Sequence, residues 1–526
     1  NQEKPCYFDR FDENLKYITS LPITFPSDID PKKVTPKKFF AIDNRFYLFL
    51  EENNYATGIA NAYADKQPIL AITGEAPTYI FGKGGLQESS GEGGSIDQST
   101  LFKGITSYSK VIERIDYLPN VLNQASKVLL SENCAGPVLL SIPYNVQKEM
   151  VDASILDSIK TGNENYVNTD SSLPVATVVE MIEQSRHPVI VSGYGAIKSG
   201  AQSLVAQLSE KRNIPVTTSL KGKGVISEQS DLSLGSLGVT STGYAYRYII
   251  EHADLIIFLG AGFNERTSYL WNTELLQDKK IIQVDNNPQQ LEKVFKADIA
   301  VNADIKGVLR GILDSISEPA EKTMPETSNS ERQSWVKSSS IFRSDFHLIE
   351  SFFEHLESHF DEEIMLFDDN IIFAQNFFHA SDKMHYYPNS GVSSLGHAIP
   401  AAIGARLTQQ TPTFAILGDG GFQMCCMEIM TAVNYQLPIT IILINNSTMG
   451  LIRKNQFQQY QSRYIDCDFI NPDFEALSRS FGMNYYRVQE ESDLDGLFSS
   501  MDFKHEINLI DILLDKDTFP TYVSRR

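Results

Sequence analysis

Residues 414–450 read FAILGDGGFQMCCMEIMTAVNYQLPITIILINNSTMG, and nearly every part of this stretch has a physical reading. Phe414 to Leu417 is a short apolar run, as expected of a strand buried on both faces. The glycines Gly418, Gly420 and Gly421 let the backbone turn sharply and let a ligand approach it closely. A helix is expected from near Gly421, and Ile441 to Ile444 reads as a second buried strand ending at Asn445-Asn446. Asp419 and Asn446 then belong at the carboxyl ends of two parallel strands, the edge where open α/β sheets bind ligands. A carboxylate and a carboxamide beside a helix N-terminus suit a hard cation such as Mg²⁺, which brings phosphate oxygens with it.

Strand-like apolar runs alternate with helical stretches through most of the chain, which implies parallel sheets with helices on both faces. The 526 residues leave room for about three domains of ordinary size. An apolar share of 42% and an aromatic share of 10% belong to a globular protein and not to a disordered one. The formal net charge of −21 argues against nucleic acid or an anionic membrane as a partner. No apolar run approaches the ~18–20 residues needed to span a bilayer. No basic stretch leads into an apolar one at the start, so no secretory signal is expected. The first residue, Asn1, leaves room for residues removed ahead of it. Cys6, Cys134, Cys425, Cys426 and Cys467 form no metal-ligand or redox spacing, and an odd count without a framework fits a reducing, cytoplasmic location.

Two composition breaks divide the chain, TGNENYVNTDSS (161–172) and the polar ISEPAEKTMPETSNSERQSWVKSSS (316–340), the second reading as a linker. The expected domains are therefore 1–165, 173–315 and 346–526, with 316–345 between the last two. In the middle block, PVIVSGYGAI (188–197), IPVTTSLKGKGVIS (214–227), LIIFLGAGFNE (255–265) and KIIQVDNNP (280–288) are buried strands ending in Gly- or Asp-rich turns. That is the pattern of a doubly wound sheet.

The GDG turn followed by paired asparagines resembles the diphosphate-binding motif of thiamine diphosphate (ThDP) enzymes, most closely the acetolactate synthase-like branch. The resemblance covers about residues 46–515. It implies three doubly wound parallel-sheet α/β domains: pyrimidine-binding, central and diphosphate-binding. It also implies that Asp419, the Asn446 side chain and the Thr448 backbone carbonyl bind Mg²⁺, with Gly418, Gly420, Gly421, Met449 and Gly450 around the diphosphate. SLGHAIPAAIGA (394–405) is similar to the family segment in which an apolar side chain lies under the bent cofactor. Ser394 and Leu395 are its counterparts here, Leu395 pressing the aminopyrimidine toward the thiazolium. STMGLIRKNQFQQYQSRY (447–464) is similar to the segment covering the cofactor, which would turn Met449 and Leu451 to the site and Arg453 toward an anionic substrate. The central domain binds FAD in some relatives and nothing in others. GAGFNERTS lacks the Arg-Phe-Asp-Asp run of the FAD binders, so a structural role is expected, with FAD the alternative.

PILAITGEAPTYIFGKGGLQES (68–89) resembles the family run that ends in a Gln-Glu pair, here Gln87 and Glu88, the Gln bordering the substrate. DQSTLFKGITSYSKVIE (97–113) and AGPVLLSIPYNVQ (135–147) continue the likeness. The family's catalytic glutamate, which hydrogen-bonds the pyrimidine ring, is harder to place. In one alignment of RFYLFLEENNYATGIANAYADKQ (45–67), Phe46–Leu50 is the glutamate strand and Glu52 the acid, displaced by one position. In the favoured alignment GIANAYADKQP is the helix before the ITG strand, and the glutamate would lie within residues 1–45, which hold no such pattern. The chain ends soon after LIDILLDKDTFP (509–520), so a C-terminal lid is not expected. The implied function is a ThDP- and Mg²⁺-dependent enzyme on small 2-oxo acids, decarboxylating with carboligation, as a homodimer or homotetramer. The alternative is a non-catalytic relative that binds the cofactor without the glutamate relay.

Overall fold

A computed structural model describes residues 55–131, 135–151, 174–318, 329–339 and 341–522, with the backbone of four short strands between Tyr7 and Tyr47. The chain divides into two units, Asn1–Asn168 and Thr169–Arg526.

The first unit holds a three-stranded parallel sheet in the order Leu70–Glu75, Val138–Pro143, Tyr108–Val111. Alternation along Val138–Pro143 sends Leu139 to one face, against Ile59 of the helix Tyr55–Ala64 and Phe102, while Val138 and Leu140 face the helix Leu118–Leu129. Two further pairs of short strands are antiparallel, Tyr7–Phe11 with Tyr17–Pro22 and Phe40–Ile42 with Arg45–Tyr47.

The second unit carries two six-stranded parallel sheets. The first runs in the order Ser233–Ser236, Val216–Thr218, Pro188–Ser192, Leu255–Leu259, Lys280–Asp285, Ile299–Asn302. The second runs Met384–Pro388, Ile364–Asp368, Thr413–Gly418, Thr440–Asn445, Asn508–Leu513, Asn484–Val488. Their central strands, such as Leu255–Leu259 and Thr440–Asn445, are buried throughout, as Ile- and Leu-rich strands covered on both faces must be. Three parallel sheets covered by helices agree with the expected fold class. The helix foreseen from Gly421 begins earlier, at Asp419, directly after the strand.

Strand order places a ligand crevice. From Ile364–Asp368 the chain moves to one side, to Met384–Pro388, and then crosses back to Thr413–Gly418 on the other side. The order reverses between Ile364–Asp368 and Thr413–Gly418, and open sheets bind ligands beyond the carboxyl ends at such a switch point.

Within the polar stretch 316–345, Asn329–Ser339 is helical, and its Arg332 is buried. Arg332 donates to the Ser233 carbonyl at 3.1 Å and to the Glu228 carbonyl. Glu228 is paired with Lys223 at 2.6 Å and accepts the Ala380 N–H at 2.9 Å, while Lys223 donates to the Gln375 carbonyl at 3.1 Å. Burial by itself would raise the Glu228 carboxyl, but Lys223, His379 and Arg332 together outweigh it and hold the acid below its usual range. Glu228→Gln should therefore cost about 3–5 kcal/mol, because it removes the carboxylate paired with the buried Lys223. The double change Lys223→Met, Glu228→Leu should cost much less. Urea denaturation of both variants checks the contrast.

Asp368, fully buried, accepts from Tyr386 Oη at 2.6 Å and Ile371 N at 2.6 Å. Burial pushes its carboxyl up to about 7 from an ordinary 3.8. A raised folded-state value favours the protonated form in the fold. Its stabilisation is thus complete below about 4 and is lost as pH rises through about 7. Asp368→Asn should lose less stability than the wild type between pH 5 and pH 8, measured by denaturation at both.

Candidate active site at the switch point

Asp419 opens the helix Asp419–Cys425 immediately after Gly418 ends its strand, and its side chain is only 1% exposed. Oδ2 accepts from Asn446 N at 3.1 Å, Ser447 N at 2.5 Å and Asn471 Nδ2 at 2.8 Å, and Oδ1 from Gly420 N at 3.0 Å. Burial raises its carboxyl above the ordinary value, and these donors pull the other way. No cationic side chain pairs with it among the described residues. A buried carboxylate supported by dipoles alone keeps its negative charge uncompensated, the charge a bound cation would balance.

The loop 446–449 carries the other candidate residues. Ser447 stands at φ +55°, a left-handed turn that returns the chain over Asp419. Asn446 is half-buried, its Oδ1 receiving only the long 3.3 Å bond from Thr448 N. Thr448 is buried and anchored through Oγ1 to the Cys467 carbonyl at 2.9 Å, and Met449 N donates to the same carbonyl at 2.8 Å. Gly420 and Gly450 are close approaches: a Cβ at Gly420 would lie 2.8 Å from the Met449 thioether, and one at Gly450 3.1 Å from Asn446 Nδ2. Carboxylate, carboxamide and backbone carbonyl oxygens are the hard donors Mg²⁺ selects, and their low charge leaves room for phosphate oxygens.

Across the switch point, Asp369 follows the neighbouring strand and is also sealed from solvent. It accepts from Gly396 N at 2.7 Å, His397 N at 3.0 Å and Asn389 Nδ2 at 3.2 Å, which fixes the loop carrying Ser394 and Leu395. Leu395 itself remains 39% exposed. The amide oxygens of Asn370 and Asn389, in the loops beside this carboxylate, are buried without a partner, as unfilled acceptors in a binding crevice would be.

Gln87 stands exposed at φ +58° on a loop of the first unit, where neighbouring Glu88 is tied by Gly82 N, by Gly85 N at 2.8 Å and by Ser90 Oγ at 2.8 Å. Glu52 lies outside the described residues. Arg453, expected to meet an anionic substrate, is instead engaged by Asp468 and Asp517, each at 2.6 Å, with Tyr464 stacked 3.8 Å from its guanidinium. Sequence reading missed Asp369 and Asn471. The pair Asp368-Asp369 closing a buried strand was the available signal for the first. Asn471 reaches Asp419 only through loop geometry, which leaves no periodic trace.

Two family models match, the thiamine pyrophosphate enzyme central domain over residues 175–312 and the thiamine pyrophosphate enzyme C-terminal TPP-binding domain over 370–512, between them more than half the chain. The chain belongs to the thiamine pyrophosphate-dependent enzymes. It is 27% identical over 486 residues to a probable acetolactate synthase large subunit of Methanococcus aeolicus, covering 88% of this chain and 80% of that one. It is 29% identical over 484 residues to its counterpart in Methanocaldococcus jannaschii, covering 88% and 79%. The acetolactate synthase large subunit of Pyropia yezoensis is 28% identical over 464 residues, 84% and 75% of the two chains.

Gly421 is required where it stands, since a Cβ there would lie 2.6 Å from Asp369 Oδ2. Asp369 cannot yield while it holds three donors. Gly421→Ala should destabilise by up to about 2 kcal/mol, overpacking of ~1–3 kcal/mol set against the ~1 kcal/mol gain in helix propensity. The urea midpoint reads the difference.

Proposed function

We propose that this protein is a ThDP- and Mg²⁺-dependent enzyme acting on small 2-oxo acids, decarboxylating one and joining the remainder to a second carbonyl, as acetolactate synthases do. The observation that carries the reading is the buried Asp419, held by N–H donors and by no cationic side chain among the described residues, beside Asn446 at the switch point. We assign 1–165 to the pyrimidine side, 173–315 to the central domain, 316–345 to the connection and 346–526 to the diphosphate side, in a homo-oligomer.

In this reading Asp419, Asn446 Oδ1 and the Thr448 carbonyl hold Mg²⁺, and through it the diphosphate. Gly418, Gly420, Gly421 and Gly450 keep the backbone open to the phosphates. Leu395, on the loop fixed by Asp369, and Met449 shape the apolar contact to the rings, with Ser394 beside them. Bound there, ThDP supplies a carbon nucleophile and an electron sink for loss of CO₂. Gln87 borders the substrate. Glu52 is our candidate for the carboxyl that holds the proton at the pyrimidine ring. Glu75 is less suited, its oxygens being taken by Ala76 N at 2.8 Å, Ser89 N at 2.9 Å and Ser89 Oγ at 2.7 Å.

For the central domain we propose a structural role and no FAD. Gly193 N donates to the Leu259 carbonyl at 2.9 Å and Gly195 N to that of Gly260 at 3.0 Å, so the two Gly-rich turns close on each other. A Cβ at Gly193 would lie 2.3 Å from Ala261 Cα.

The test is CO₂ release from pyruvate with ThDP and Mg²⁺, beside ThDP titration by calorimetry. Asp419→Asn should weaken Mg²⁺-dependent ThDP binding by on the order of 100-fold and abolish release. Glu52→Gln should leave binding intact and suppress release. Release that survives Glu52→Gln would move the acid elsewhere, and ThDP binding without release from any 2-oxo acid would favour a non-catalytic relative.

A further inference from the structure

Asn445, the first of the paired asparagines, faces away from the proposed metal ligands, toward a second buried carboxylate. Asp511 lies within the strand Asn508–Leu513, fully buried. It accepts from Asn445 Nδ2 at 2.8 Å, from Tyr485 Oη at 2.7 Å and from Arg487 Nη2 at 3.2 Å. A carboxylate can only accept, so Asn445 must turn its NH₂ to Asp511 and its oxygen the other way. That oxygen takes one N–H of Asn471 at 2.9 Å. Asn471 Nδ2 also reaches Asp419 Oδ2 at 2.8 Å and Ser447 Oγ at 3.2 Å, and its own oxygen accepts from Gln423 Nε2 at 2.8 Å. With the Asn471 amide reversed, an oxygen would face the Asn445 oxygen and the Asp419 carboxylate together. Chemistry thus sets both amides, from Asp511 at one end to Asp419 at the other.

The two oxygens of Asp419 are unequal as a result. Oδ2 is saturated by three N–H donors, whereas Oδ1 has only the adjacent Gly420 N. We propose that Asn471 is a positioning residue for Asp419, oriented by Asn445 and Asp511, and that it occupies one carboxylate oxygen so that the other is presented to the cation. This rests on the reading of Asp419 as a metal ligand. Outer-shell partners that orient ligands typically change metal affinity or activity by about 10–100-fold when removed.

The experiment uses the full chain with Asn471→Asp, Asn471→Ala and Asp511→Asn. Two quantities are read, the Mg²⁺ concentration for half-maximal ThDP binding and, without cofactor, backbone amide exchange of the peptide 445–449. Asn471→Asp replaces a donor by an acceptor against Asp419, and should raise the Mg²⁺ requirement by about 10–100-fold and speed exchange at Asn446 and Ser447. Asn471→Ala removes the donor without adding charge and should shift both in the same direction. Asp511→Asn, which lets the amide chain reverse, should do so more weakly. A purely structural role would lower the melting temperature and leave the Mg²⁺ requirement unchanged, overturning the proposal. Unchanged exchange in both Asn471 variants would also overturn it. If the wild type takes up neither Mg²⁺ nor ThDP, the metal reading of Asp419 falls, and amide exchange alone then decides whether Asn471 positions it.

Discussion

A carboxylate removed from water without a counter-charge is the constraint on which the candidate site depends. Asp419 can be buried only because backbone and amide N–H groups converge on it, and each donor fixes a piece of chain. The N–H groups of Asn446 and Ser447 shape the turn after one strand, and Asn471 brings in the loop before the helix Phe474–Phe481. The left-handed Ser447 follows from the same demand, since two successive N–H groups reach one oxygen only if the chain reverses there. The site is preorganised by the need to keep this acid buried.

The neighbouring strand repeats the arrangement with its own acids. Asp368 turns into the interior toward Tyr386, while Asp369 faces the crevice and the loop 389–397. The interior side continues to Gln375, whose carbonyl accepts from Lys223 and whose side-chain oxygen accepts from Thr240 at 3.1 Å. Lys223, Glu228 and Arg332 thus link the two six-stranded sheets through buried polar groups. Satisfied buried networks of this kind specify one packing more than they add stability.

The parallel sheets, and the strand ends that carry Asp419 and Asn446, were legible in the chain because their cause is local. Ile441 to Ile444 must be a strand buried on both faces, and Gly420 and Gly421 stand where a side chain would collide with Met449 and Asp369. What was not legible depends on groups brought together from afar. Asn471 is 52 residues from Asp419, and no propensity records that its amide points there. Arg453 invited an anionic partner from outside, yet Asp468 and Asp517 supply it from within the chain. The helix Tyr55–Ala64 precedes the strand Leu70–Glu75, as its composition suggested, whereas Glu52 falls outside the described residues.

The opposite facing of Asp368 and Asp369 limits how this region can change in length. Side chains alternate along a strand with a period of two, so one inserted or deleted residue in Ile364–Asp368 would exchange the faces of the two acids. The interior acid would then enter the crevice, and the loop-holding acid would meet Tyr386. Surface loops elsewhere can lengthen at little thermodynamic cost. This five-residue strand can vary in composition but not in count, which makes it a fixed ruler for the two acids.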